Sequence, residues 1–122
     1  MKHLRATILI MAAALSALPL LAQRPELNTQ ADVEERVKSA LEADKAQGKL
    51  AELALELGLR GSFTFDLTVG DRGEAETVFP VESTIEDIPA RNRLKDHLKS
   101  LRFDFKLPKG KRFKTRQTLQ FP

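Results

Sequence analysis

The sequence predicts an exported α+β protein: helical segments first, then β-β-α-β, with a small antiparallel sheet packed against a helix. Three observations carry that expectation. Apolar residues recur at three and four residue spacing between residues 30 and 59. The period drops to two at Phe63, Phe65, Leu67 and Val69, the mark of a half-buried strand. It returns to helical spacing at Leu94, Leu98 and Leu101 and alternates again to the C-terminus. With 122 residues, 42% of them hydrophobic, the chain has material for one ordinary core.

The chain opens Met-Lys-His-Leu-Arg, runs uncharged from Ala6 to Ala22, and turns polar at Gln23-Arg24-Pro25-Glu26. A basic start, an apolar stretch and a small residue before a polar segment make up a Sec-type signal peptide. The expected signal is 1–22, cut after Ala22; Leu20 is bulky for the minus-three position, and cleavage after Ser16 is the alternative. An uncleaved inner-membrane anchor is the other reading, because the run approaches the roughly 18 to 20 apolar residues that span a bilayer. Pro19 near its end favours cleavage. No cysteine follows the run, so lipoprotein processing is excluded. Either way the expected location is outside the cytoplasm, periplasmic or secreted.

Thr29, with Asp32 three residues on, has the spacing of a helix N-cap and an acidic first turn. Val33, Val37, Ala40 and Leu41 then mark one face, and Glu34, Glu35, Lys38 and Glu42 the other. Gly48 interrupts the pattern, and Leu50, Leu53, Ala54 and Leu57 resume it until Gly61. Two helical segments are expected, over 30–47 and 49–59, within an N-terminal helical region of 23–60.

The strand at 63–69 leads into Gly70-Asp71-Arg72-Gly73, a turn with two positions tolerant of positive φ, and then into Ala75 to Val81, so an antiparallel hairpin is expected. Pro80 has no amide hydrogen and must sit at an edge or a bulge. A polar break and Pro89 open a helix over 88–101. Phe103 and Phe105 alternate with polar residues, Leu107 to Lys111 makes a turn, and Phe113, Thr115, Gln117, Leu119 and Phe121 form a closing strand.

The order of these residues resembles the TonB C-terminal domain superfamily of bacterial envelope proteins. The resemblance rests on Gly61-Ser-Phe-Thr-Phe-Asp-Leu-Thr-Val69, on the Gly73 turn into Ala75-Glu-Thr-Val78, on Ser83-Thr84 before the helix, on Leu98-Lys-Ser-Leu-Arg-Phe103, and on Pro108-Lys-Gly and Thr118-Leu-Gln-Phe121. It covers 61–122. Energy transducers of that class resemble an anchored helix followed by a long Pro-rich spacer, which this chain lacks between Ala22 and Thr29; Leu101-Arg102-Phe103 also stands where the family often shows Trp. The resemblance implies a stand-alone TonB-like module used for protein contacts in the cell envelope.

No residue pattern points to catalysis, a cofactor or a metal. Cysteine is absent, and His3 and His97 are far apart. The pairs Glu34-Glu35 and Glu86-Asp87 are neighbours in sequence whose side chains diverge, so a solvated surface is expected rather than acid/base chemistry. His97, among Lys95, Asp96 and Lys99, is expected to be exposed.

Charge is divided along the chain: residues 23–90 carry 15 acidic and 7 basic side chains, and 91–122 carry 2 and 11. The halves either complement one another or leave a basic surface on the C-terminal third. Lys106, Lys109, Lys111, Arg112, Lys114 and Arg116 are the candidate partner-binding residues, offering positive charge to an anionic group or a protein segment. Alternatively they guard an exposed sheet edge from aggregation. Nucleic acid is not supported, because the nearby Phe residues alternate onto the apolar face. The functional expectation is a non-enzymatic binding or adaptor module in the cell envelope, contacting a protein or peptide by strand addition or through its basic C-terminal face. A small secreted effector or inhibitor acting on an anionic surface or an enzyme is the alternative.

Overall fold

In the computed structural model, which describes residues 24–122, the Asp32 amide donates to Thr29 Oγ1 and starts helix α1, Gln30–Gln47. The expected signal peptide, 1–22, lies outside the described residues. Val33, Val37 and Leu41 form the buried stripe of α1. Gly48 ends α1 and serves as N-cap of α2, Lys49–Leu57. Glycine supplies no capping side chain, so Asp44 reaches across from α1 and its Oδ1 accepts the Leu50 amide at 3.2 Å. A Cβ at residue 48 would lie 2.2 Å from that oxygen, which ties the glycine to the aspartate.

The second helix stops earlier than expected, at Gly58 rather than near Gly61. Gly58 takes the left-handed conformation, φ 60°, and the Leu59 amide reaches back to the Ala54 carbonyl, closing the helix end with Leu59 buried.

Strand β1, Gly61–Val69, occupies the centre of a three-stranded antiparallel sheet, between β2, Ala75–Ser83, and β3, Phe113–Phe121. Phe63, Phe65, Leu67 and Val69 are buried beneath the helices, while Thr64, Asp66 and Thr68 lie on the opposite face. The two partner strands differ in regularity. β3 pairs with β1 without interruption from Gly61↔Phe121 to Val69↔Phe113. β2 slips register at both ends, and Pro80 lies beside one slip, opposite Phe65, where an edge strand tolerates a missing donor.

Asp87 accepts the Ala90 amide and caps α3, Ile88–Lys99, whose buried stripe is Ala90, Leu94 and Leu98. This helix ends at Lys99 rather than 101, with the Ser100 amide on the His97 carbonyl, and just beyond it the Leu101 carbonyl accepts the Ala75 amide at 3.1 Å. The chain then runs extended through Phe103, Phe105 and Leu107, all buried. The Phe103 amide donates to Gly73 O, Leu107 to Asp71 O and Lys106 to Pro25 O, so this segment lies between the hairpin turn and the N-terminal lead. The Phe103 and Phe105 rings stack at 5.6 Å.

The result is a mixed α+β architecture in which helices and sheet share one apolar cluster, from Val33 on α1 to Phe121 on β3. Each fully buried Phe, Leu or Val in it contributes about 1.5–3 kcal/mol relative to exposure.

Gly73 has φ 81°, and a Cβ there would sit 2.2 Å from the Phe105 carbonyl oxygen. Gly73→Ala is therefore expected to cost about 3 kcal/mol or more, combining left-handed strain with a backbone collision. Gly58→Ala, where a Cβ meets nothing within 4 Å, should cost only about 1–2 kcal/mol. Urea denaturation of both variants checks this; equal losses would mean that the close approach at Gly73 contributes nothing.

Candidate partner-binding surface

The six basic candidates fall in three places. Lys106 lies on the extended segment, where its carbonyl accepts the Leu27 amide at 2.9 Å and its side chain is exposed. Lys109 and Lys111 flank Gly110 in a turn closed by the Lys111 amide on Pro108 O; the Gly110 amide donates to Asp71 Oδ2 at 3.0 Å. Arg112, Lys114 and Arg116 lie just before β3 and along it, all exposed.

Two of the six meet carboxylates. Arg112 Nε lies 3.0 and 2.6 Å from the two oxygens of Glu76. Arg116 forks onto Asp66, Nε to Oδ1 at 2.9 Å and Nη2 to Oδ2 at 3.2 Å. Hydrogen bonds from Arg116 hold the Asp66 carboxyl below the usual carboxylate range, against an opposing effect of burial. The hydrogen bond to Glu76 raises Arg112, and the negative charges of Glu76, Asp71 and Glu74 add to it. At these two pairs the acidic and basic parts of the chain neutralise one another. Among the described residues Lys106, Lys109, Lys111 and Lys114 make no ion pair.

The free edge of β3 is the second feature, and the basic run alone does not reveal it. The Lys114 carbonyl accepts from Gln30 Nε2 and the Gln120 carbonyl from Lys45 Nζ, both side chains of α1. Since peptide groups alternate along a strand, Arg116 and Thr118 present theirs to the same free edge. Beside them runs a groove of about 570 Å³, walled by Glu34, Glu35, Lys38 and Glu42 of α1 and by Arg116 and Thr118. These acids belong to the polar face of α1 read from the helical period; what places them beside β3 is packing between elements far apart in sequence.

His97 departs from expectation. Its side chain is only 14% exposed, and Nε2 lies 2.7 Å from Asp44 Oδ2. Packing of α3 against the α1–α2 junction brings the two together, so Asp44 holds α2 with one oxygen and α3 with the other. The adjoining cleft, about 350 Å³, is lined by Lys49, Glu52, Leu53, Glu56, Arg93, Asp96 and His97, with no hydroxyl or thiol side chain for His97 to activate. Arg93 forks onto Glu56 at 3.0 and 3.4 Å and keeps that carboxyl below its usual range. Glu34, Glu35 and Glu86 are exposed, and Asp87 is the cap of α3.

Among the described residues no group of three His, Cys, Asp or Glu side chains could hold a metal ion, and no helix is long and apolar enough to cross a membrane. No protein-family model, curated protein or solved structure matches the chain.

Arg116→Ala removes the hydrogen bonds that depress Asp66, so the Asp66 carboxyl should titrate closer to its ordinary value, as followed by carboxyl ¹³C shifts. A carboxylate depressed in the folded state stabilises the protein above its unfolded pKa, and that stabilisation is lost as pH falls through the folded value. The difference in denaturation midpoint between the native protein and Arg116→Ala should thus be full at neutral pH and close in strong acid. A difference that persists unchanged in acid would remove the ion pair as its cause.

Proposed function

We propose that the chain is a non-enzymatic, exported protein-binding module with a TonB-like fold, which takes an extended segment of a cell-envelope partner as a fourth strand on the free edge of β3. The contrast between the two edges carries the reading. β3 offers nine residues in continuous register with no proline, whereas β2 is broken by two register shifts and Pro80. Bulges and proline are the devices by which proteins close an edge to foreign strands. Here they protect one side of the sheet only. On the other side, the Lys114 and Gln120 carbonyls are covered by two flexible side chains, which an incoming backbone can displace.

The groove beside that edge favours a cationic segment. Glu34, Glu35 and Glu42 outnumber Lys38 along its wall, and Arg116 is already committed to Asp66. Main-chain hydrogen bonds give affinity in this mode, and the wall of α1 selects charge. The secreted effector or inhibitor reading finds support in the unpaired lysines Lys106, Lys109, Lys111 and Lys114, which suit an anionic surface.

An octapeptide alternating Lys and Val, capped at both ends, should slow hydrogen exchange at the Arg116 and Thr118 amides. A Glu-Val counterpart should bind at least tenfold more weakly, a difference of about 1.4 kcal/mol. Methylation of the backbone nitrogens on one edge of the Lys-Val peptide should abolish the protection; protection that survives it, or that never appears at these amides, would sink strand addition. Export is tested separately, by mass spectrometry of the protein from fractionated cells. A chain beginning at or near Gln23 in the periplasmic fraction is expected, whereas a chain retaining Met1 in the inner membrane would mark a tethered module.

A further inference from the structure

We propose that the notch between the end of β2 and the first turns of α3 is a second binding site, which takes a carboxylate flanked by aliphatic groups on a partner polypeptide, with Arg91 as its anchor. The notch, about 320 Å³, has Phe63 in its lining together with Pro80, Val81, Glu82, Ile88, Arg91 and Lys95. Two observations of different kinds converge on it.

The first is apolar exposure. Val81 is 41% and Ile88 59% exposed, and both border this notch. Val81 stands out because the register shift between Thr64 and Phe65 leaves it without a partner on β1. Ile88 occupies the first turn of α3, ahead of the stripe that Ala90, Leu94 and Leu98 bury. Exposed aliphatic side chains gathered around a concavity mark a contact surface more readily than the same residues scattered singly.

The second is Arg91. Its Nε is shut off from solvent and has no hydrogen-bond acceptor, the one side-chain nitrogen or oxygen in that condition among the described residues. Arg93, two residues on, forks onto Glu56, but no carboxylate among the described residues pairs with Arg91, although Glu82 lines the same notch. A buried donor without an acceptor lowers stability, and no group among the described residues offsets that cost at Arg91. Burial of Nε also restrains the guanidinium, so a carboxylate entering the notch meets a planar donor group that has already lost much of its rotamer freedom. Lys95 adds a second cation beside it.

A polypeptide fits better than a fatty acid. The notch is at the small end of ligand sites and cannot sheath a long acyl chain. Glu82 on its lining offers an acceptor for a main-chain amide, which a peptide possesses and a fatty acid does not. The charge preference is opposite to that of the acid-walled groove beside β3, so this site stands independently of strand addition.

The test uses the isotopically labelled protein with four probes: acetyl-Ala-Leu-Val with a free carboxylate, its C-terminal amide, acetyl-Leu-Glu-Leu-amide, and octanoate. At least one of the two acidic peptides should shift the Arg91 Nε–H signal and the Val81 and Ile88 methyl signals, and bind at least tenfold more tightly than the neutral amide. Which of them does so separates a chain terminus from an acidic side chain as the source of the carboxylate. Arg91→Met should abolish the tenfold preference while leaving the thermal midpoint unchanged or raised, since it removes an unsatisfied donor. Ile88→Ser should weaken both acidic and neutral peptides. Equal binding of the neutral amide, or a fall in midpoint with Arg91→Met, would overturn the assignment by making Arg91 a structural residue; octanoate binding as tightly as the peptides would overturn the polypeptide ligand.

Discussion

A carbon atom added at residue 73 has nowhere to go, and much of the molecule is arranged around that fact. The glycine lets the hairpin turn approach the backbone of Phe103 and Phe105 closely enough for the Phe103 amide to bond Gly73 O at 2.7 Å. On the other side of the same extended segment, the Lys106 amide and carbonyl bond Pro25 and Leu27. Three stretches remote in sequence are thereby joined through main-chain groups. The join seats Phe103, Phe105 and Leu107 in the core and brings the chain to the turn at Pro108–Lys111, which Asp71 pins through the Gly110 amide. From there β3 starts in register opposite Val69. The regularity of the last strand is thus a consequence of how tightly its approach is held.

The central place of β1 leaves both neighbours as edge strands, and the chain treats them differently. β2 carries one of its two register shifts and its proline close to α3, beside a notch bordered by aliphatic and basic side chains. β3 keeps its ladder and lies beside the acidic face of α1. One small sheet is therefore bordered by an acid-walled groove on one side and by a notch lined by Arg91 and Lys95 on the other. On the outer face, Arg116–Asp66 and Arg112–Glu76 tie β3 and the turn before it to β1 and β2. Pairs whose arginine lies in solvent, as both do here, add little to stability, and their main effect is to take positive charge away from the C-terminal third.

The elements were legible where their signals are local. The period-two run at Phe63–Val69, the Thr29 cap, the Gly48 break and the Pro89 start act within a few residues, and the helices and strands lie where those signals stand. Two helix ends were not legible to the residue. α3 stops at Lys99, two residues short of the end of its apolar stripe, and α2 stops where Gly58, three residues before Gly61, turns left-handed to close the helix. The candidate site divided the same way. The six basic residues are plain in the sequence, but which of them face acids depends on the pairing of β1, β2 and β3. His97 sits among charged neighbours, and only the packing of three helices reveals that it is enclosed.

Asp44, Gly48 and His97 illustrate a different scale of constraint. One carboxylate serves the amide of Leu50 and the ring of His97, and the glycine exists to leave that carboxylate room. A descendant that replaced Asp44 would ease the closest contact at residue 48 and leave His97 without its partner, whereas replacing either of the others first would disturb the aspartate. Across diverging sequences these positions should change as a set, and their joint presence would trace descent from this arrangement more faithfully than any of the apolar positions, which many unrelated cores could share.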